Sequence, residues 1–127
     1  MIDALFTQPN FVAAKQMLDV AALRHEAIAS NLGNLETPGY KRLDVSAAFE
    51  SQLQQAIAAR DTETVSGFRP QLEVDTTAVA RRRDGNTVEL ESELIRLQRN
   101  NLEYASEAQM VTGSLMKLRQ AITGRVG

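Results

Sequence analysis

Positions 90, 94, 97, 101, 104, 108, 111, 115, 118 and 122 advance by alternating fours and threes without a slip. They carry Leu90, Leu94, Leu97, Asn101, Tyr104, Ala108, Val111, Leu115, Leu118 and Ile122, so a single polar residue interrupts an apolar seam. A second series holds the same rhythm at Phe11, Ala14, Leu18, Ala21, His25, Ile28, Leu32 and Leu35, with His25 its only polar member. Such spacing describes a coiled-coil seam more narrowly than it describes an ordinary amphipathic helix. Two seams at opposite ends of one chain predict an all-α fold in which long N- and C-terminal helices pair as an antiparallel coiled-coil hairpin.

The boundaries follow from local signals. Pro9 suits a first helical turn, and the helix should fray around Gly33, giving 9–35. "DGNTVELE" predicts a turn at Asp84–Gly85, then Asn86 as N-cap with Glu89 three residues on, giving a C-terminal helix over 87–123. Acids at 89, 91 and 93 complement a helix start, and Gly124 is placed to close the end. Residues 36–86 form the turn and a small, partly irregular middle segment. Within it Val45, Phe49, Leu53 and Ile57 predict a short helix over 44–59, and "QLEVDTTAVA" a short strand or extended arm. The whole of 1–127 then reads as one domain.

Matching the seams sets Leu35 beside Leu90, Leu32 near Leu94, Ile28 near Leu97, His25 near Asn101 and Leu18 near Ala108. The two polar breaks fall opposite each other, a device that can specify register. Aromatics are only 5% of the 127 residues, so little core beyond the seams is on offer. Ala13, Met17, Val20, Leu23, Ala27, Ile95, Leu102, Met110 and Met116 lie off the seams and would stay exposed on an isolated hairpin. Neighbouring subunits are the expected cover.

Chemistry is sparse. Cysteine is absent, which removes disulfides, thiolate nucleophiles and thiolate metal sites together. His25 is the only histidine, and no set of carboxylates stands at ligand spacing around it, so neither a metal nor another cofactor is expected. No phosphate loop, nucleophile elbow or HExxH motif occurs. The net charge of −2 offers no field for nucleic acid. No stretch nears the ~20 apolar residues of a membrane span, and "MIDALFTQPN" has neither the basic nor the apolar region of a secretory signal. Arg81–Arg83 reads as a solvated loop. Tyr40 could pack over a helix end or make a contact.

"SNLGNLETPGYKR" (30–42) stops the first helix. Thr37 precedes proline and is pushed to extended geometry, while Gly39 is free to take positive φ. That explains a stop but not the order of the letters. "ASNLGNLETPGYKR" (29–42) resembles the N-terminal motif of the flagellar rod and hook family, the axial proteins of the bacterial flagellum. Asn31, Asn34, Thr37, Pro38, Gly39 and Tyr40 match it, and Gly33 departs, standing where Ala is usual. "DGNTVELESEL" (84–94) and "NNLEYASEAQMV" (100–111) are similar to the C-terminal half of a short proximal-rod member.

The resemblance implies a structural subunit, not an enzyme, of the proximal rod, the drive shaft linking the MS-ring to the distal rod and hook. Implied partners are other rod proteins, the adaptor between MS-ring and rod, the flagellar type III export apparatus, and further copies in a helical assembly. Implied location is the flagellar basal body, its rod in the periplasmic space, reached without a cleaved signal peptide. The subunit interface would draw on Phe11, Leu18, His25, Ile28, Leu32, Leu94, Leu97, Asn101, Tyr104, Val111, Leu115, Leu118 and Ile122, with Lys41 and Arg42 available beside Tyr40. Two other readings share the seams: a sister short rod protein, and a soluble coiled-coil adaptor or export chaperone, which would not need the Thr-Pro-Gly-Tyr motif.

Overall fold

The computed structural model describes residues 8–124; the opening stretch 1–7, most of the segment read as lacking a secretory signal, lies outside them. Helix α1 runs Pro9–Gly33, with Pro9 in its first turn and Asn34 at its C-cap. Strand β1 (Leu43–Val45) follows, then α2 (Ala47–Ala58), α3 (Thr62–Gly67), β2 (Leu72–Val74) and α4 (Leu90–Thr123). Helix α4 ends where Gly124 takes φ 70°, the left-handed conformation glycine adopts at little cost.

The middle segment is more regular than its sequence suggests. Ser46 caps α2 by accepting the Phe49 N–H at 3.3 Å, so the chain before it is left extended rather than helical. Asp61 accepts the Thr64 N–H at 3.2 Å and starts α3, a helix with no periodic apolar pattern to announce it. Val45, read as the first position of a helical stripe, instead sits in β1. There it pairs with Leu72 across a two-stranded antiparallel ribbon, with Asp44 opposite Glu73 and Leu43 opposite Val74. The all-α expectation is corrected to that extent: the fold is mostly helical with one small ribbon.

The position of the core is the larger correction. Val12, Val20, Val45, Leu53 and Val65 are buried together, with Leu23, Phe49, Ala56, Ile57, Phe68 and Leu72 packed around them. Phe49 and Phe68 meet edge to face, their ring centres 5.2 Å apart. Gln16 reaches across from α1 and donates to the Phe68 carbonyl at 3.0 Å. The middle segment therefore folds onto one side of α1. Val20, expected to await a neighbouring subunit, is only 6% exposed because this chain's own small module covers it, and Ala27, of which the same was expected, is 1% exposed.

Helix α4 lies along another side of α1. Asn31 near the end of α1 meets Glu93 near the start of α4, and Asn100 further along α4 donates to the carbonyl of Ala21 at 2.8 Å. Residue numbers fall on one helix as they rise on the other, so the pair is antiparallel. Ala14 and Ala21, each 2% exposed, give α4 a surface it can approach closely.

Candidate functional site

The motif turn is held by side-chain amides. Asn31 is fully buried. Its Nδ2 donates to the Leu43 carbonyl at 2.9 Å and its Oδ1 accepts the Leu43 N–H at 2.8 Å. The side chain thus imitates one rung of a strand ladder, which an aspartate or leucine could not do. Tyr40 donates its hydroxyl to the same Oδ1 at 3.1 Å and lies 3.0 Å from the Ser30 hydroxyl, so the ring packs over the helix end. Asn34 donates to the Ser30 carbonyl at 2.8 Å, and its Oδ1 accepts the Thr37 hydroxyl at 3.1 Å. Pro38 is exposed, and Gly39 takes φ 73° while its N–H donates to the Asp84 carbonyl at 2.8 Å.

That last bond brings in the segment before α4. Asn86, predicted as a helix N-cap, is 1% exposed and does something else. Its Nδ2 lies 2.9, 3.1 and 2.9 Å from the carbonyls of Asn34, Leu35 and Thr37, and its Oδ1 accepts the Val88 N–H at 2.8 Å. The Thr87 N–H donates to the Tyr40 carbonyl at 3.0 Å, and the Thr87 hydroxyl accepts the Arg42 N–H at 2.8 Å. Residues 86–88 are thereby spent as an extended partner of the motif. Helix α4 begins at Leu90, with Glu89 at the N-cap and no side-chain cap, three residues later than the capping-box signal suggests. Lys41 adds a bond from Nζ to the Gly85 carbonyl at 2.8 Å.

Beneath the turn lies an ionic cluster. Arg42, expected to be available for outside contacts, is 2% exposed. Its Nε donates to Glu93 at 2.7 Å, and its Nη1 meets Asp75 and, at 3.4 Å, Asp44. Glu93 is fully buried and also receives Arg96 at 3.2 Å, so it is no mere solvated acid at a helix start. Burial alone would lower the Arg42 pKa, but the hydrogen bond and charge of Glu93, helped by Asp75 and Asp44, outweigh it and leave the guanidinium raised. Burial pushes the Asp75 carboxyl up, yet hydrogen bonds from Thr77 and Arg42 hold it below its usual value. A second arginine, Arg24 on α1, ties Asp44 at 3.1 Å to Glu50 of α2 and reaches Glu103 of α4 at 3.9 Å. These carboxylates face arginines rather than a reacting group, and among the described residues no cluster of three metal-ligating side chains occurs.

The seam residues are divided. Phe11 and Ile28 are buried, Leu18, Leu32, Leu97, Val111 and Leu118 are half-buried, and His25 and Asn101 are exposed. Leu94, Tyr104 and Leu115 are 44–46% exposed and Ile122 is 59% exposed. The two α4 residues that are fully buried are Glu93 and Asn100, each one position before a seam residue. Helix α4 is therefore rolled on its axis, with the polar row turned onto α1 and the leucine row left along one flank of the contact. His25 and Asn101 line one open cleft with Ala22, Glu26, Asn100 and Tyr104 on that flank. Arg42, Asn86, Glu93 and Asp75 are the organising side chains that sequence reasoning missed. A lone Arg or Asn in a polar stretch gives no signal of burial.

No protein-family model matches the chain. Flagellar basal body rod protein FlgB of Aeromonas hydrophila is 30% identical to it over 121 residues, covering 84% of this chain and 87% of that relative. The Borrelia hermsii protein of the same name is 31% identical over 72% of this chain and 79% of its own length. That of Escherichia coli K12 is 28% identical over 91% of this chain and 92% of its own.

Proposed function

Because the chain belongs to the FlgB family of flagellar basal body rod proteins, we propose that it builds the proximal part of the rod, joining other rod proteins in the drive shaft between the MS-ring and the distal rod and hook. It is a structural subunit, not an enzyme, and the sister rod protein FlgC is not the favoured identity. The observation that carries assembly is the open flank of α4. Leu90, Leu94, Tyr104, Leu115 and Ile122 stand 44–59% exposed along α4, and Tyr104 lines the cleft at His25. A row of large apolar side chains along one edge of a helix pair costs free energy in water and marks a contact surface. In the assembled rod, neighbours cover this flank and complete the coiled-coil seam.

The motif turn has a part in the same task. A shaft that carries torque needs helix ends that do not splay. Asn31, Asn34, Tyr40, Asn86 and the Arg42–Glu93 pair join the end of α1 to the start of α4 through buried polar bonds with fixed geometry. The motif thus acts within the subunit, as a latch, while the flank acts between subunits. The MS-ring adaptor and the type III export apparatus are the remaining proposed partners, and the rod in the periplasmic space the proposed location. No helix among the described residues is long and apolar enough to cross a membrane.

Deleting the gene tests this reading. Cells should lose hooks and filaments and should regain them with the wild-type copy; a flagellated, motile deletant would overturn it.

A further inference from the structure

A second surface lies between α1, α2 and the flank of α4 opposite the leucine row. Its floor is apolar, formed by Met17, Val20, Leu53 and Ile57, and its rim carries Glu50, Glu103 and Glu107. Arg24 is the cation among the lining residues, and it is already committed to Asp44 and Glu50, reaching Glu103 only at 3.9 Å. Glu107 forms no ion pair among the described residues, and burial, with the Glu103 charge beside it, pushes its carboxyl up. The groove encloses about 160 Å³, a few waters' worth at roughly 30 Å³ each. An apolar floor under an acidic rim, with Glu107 unpaired among the described residues, suits one kind of group: a long cationic side chain whose stem lies on the floor and whose head meets the acids.

The chain presents such a group at the far end of α4. Arg119 lies among Leu115, Met116 and Ile122, its neighbours at four and three residues before it and three after, which share its helix face. Those three are 44%, 57% and 59% exposed. Arg119 and Glu107 of one molecule stand twelve residues apart on a single helix, about 18 Å at 1.5 Å per residue, so they cannot pair within a chain. We propose that Arg119 of one copy, seated with Met116 and Ile122, docks in the groove of the next copy against Glu103 and Glu107. The two patches differ, so the contact is head-to-tail, the kind that propagates a ring or a helical array. The assignment rests on the rod-subunit reading and adds to it a named contact between copies.

The natural absence of cysteine makes the test direct. Chains carrying only Glu107→Cys and chains carrying only Arg119→Cys are co-expressed in a strain lacking the gene, and isolated basal bodies are oxidised. A mixed 107–119 dimer several-fold more abundant than either homodimer is the expected result. Basal bodies that contain both chains yet give no mixed dimer would overturn the docking and leave the rod reading standing; so would capture of a different rod protein at position 107. Wild-type chain missing from basal bodies would overturn both the docking and the rod reading. Charge exchange supplies the second arm. Arg119→Glu should reduce swarming at least tenfold with an unchanged melting temperature, Arg119→Lys should retain it, and adding Glu107→Arg to Arg119→Glu should restore it. Full swarming by Arg119→Glu alone would overturn the contact.

Discussion

At the scale of single residues, the structure depends on polar side chains whose partners are backbone groups. Asn86 is the clearest case, since one amide nitrogen serves three carbonyls from the motif turn. Removing it leaves buried acceptors without a donor, at about 1–3 kcal/mol for such a group. Asn86→Ala should lower the unfolding free energy by about 2 kcal/mol, read from the urea midpoint at unchanged slope. Arg42 is similar in kind but ionic. Arg42→Met should cost about 3–5 kcal/mol because it abandons Glu93 in a fully buried position, and Arg42→Met with Glu93→Leu should recover much of the loss. A double-mutant cycle in urea measures this coupling. Asp75 sets a pH dependence whose sign follows from its depressed pKa. Its contribution is present above the unfolded carboxyl value of about 3.9 and is lost as pH falls through the lower folded value. The melting temperature should therefore fall below about pH 4, and Asp75→Asn should flatten that acid limb, as thermal melts across pH would register.

At the scale of elements, the two motif glycines behave oppositely. Gly33 closes α1 where a methyl group would meet nothing within 4 Å, whereas Gly39 needs φ +73°. Gly33→Ala should stabilise by about 0.5–1 kcal/mol, because glycine loses more freedom in a helix than alanine does. Gly39→Ala should destabilise by about 1–2 kcal/mol, because a Cβ crowds the following carbonyl in that conformation. Thermal melts of the two variants should move in opposite directions. The rolling of α4 belongs to this scale as well. A seam pattern marks which side chains are apolar and not which row a partner will meet. Here Glu93 must reach Arg42, and Asn100 reaches the backbone at Ala21. Those two bonds turn the helix and leave Leu90 and Leu94 exposed. Among the described residues Asn100 Oδ1 has no partner even so, a sign that polar contact was won at some cost.

For the whole molecule, the consequence is a fold finished on one side and open on the other. The middle module buries Val20 and Leu53 against α1, while the far flank of α4 stays apolar and uncovered. Leu94→Asp should therefore change the stability of the isolated chain by less than about 1 kcal/mol, since Leu94 is already 44% exposed. The same substitution should abolish swarming, because it sets a charge in the proposed contact between subunits. Urea unfolding beside a motility assay separates the two effects. The start of α1, its end near Gly33 and the end of α4 were legible in the chain, because Pro9, Gly33, Gly124 and the three-four rhythm act within a few residues of where they stand, whereas the start of α4 was placed three residues early. The antiparallel direction of the pair followed from matching those rhythms. The motif at 30–42 was legible as a stop and as a likeness, though not as a latch. The tertiary structure alone decided which row of α4 faces inward, that Asn86 clamps a turn instead of capping a helix, and that Arg42 is buried. It also decided that the middle segment, not a neighbour, covers Val20. Each of these turns on where a polar group finds its partner some fifty residues away, and local periodicity carries no information about bonds between distant parts of a chain.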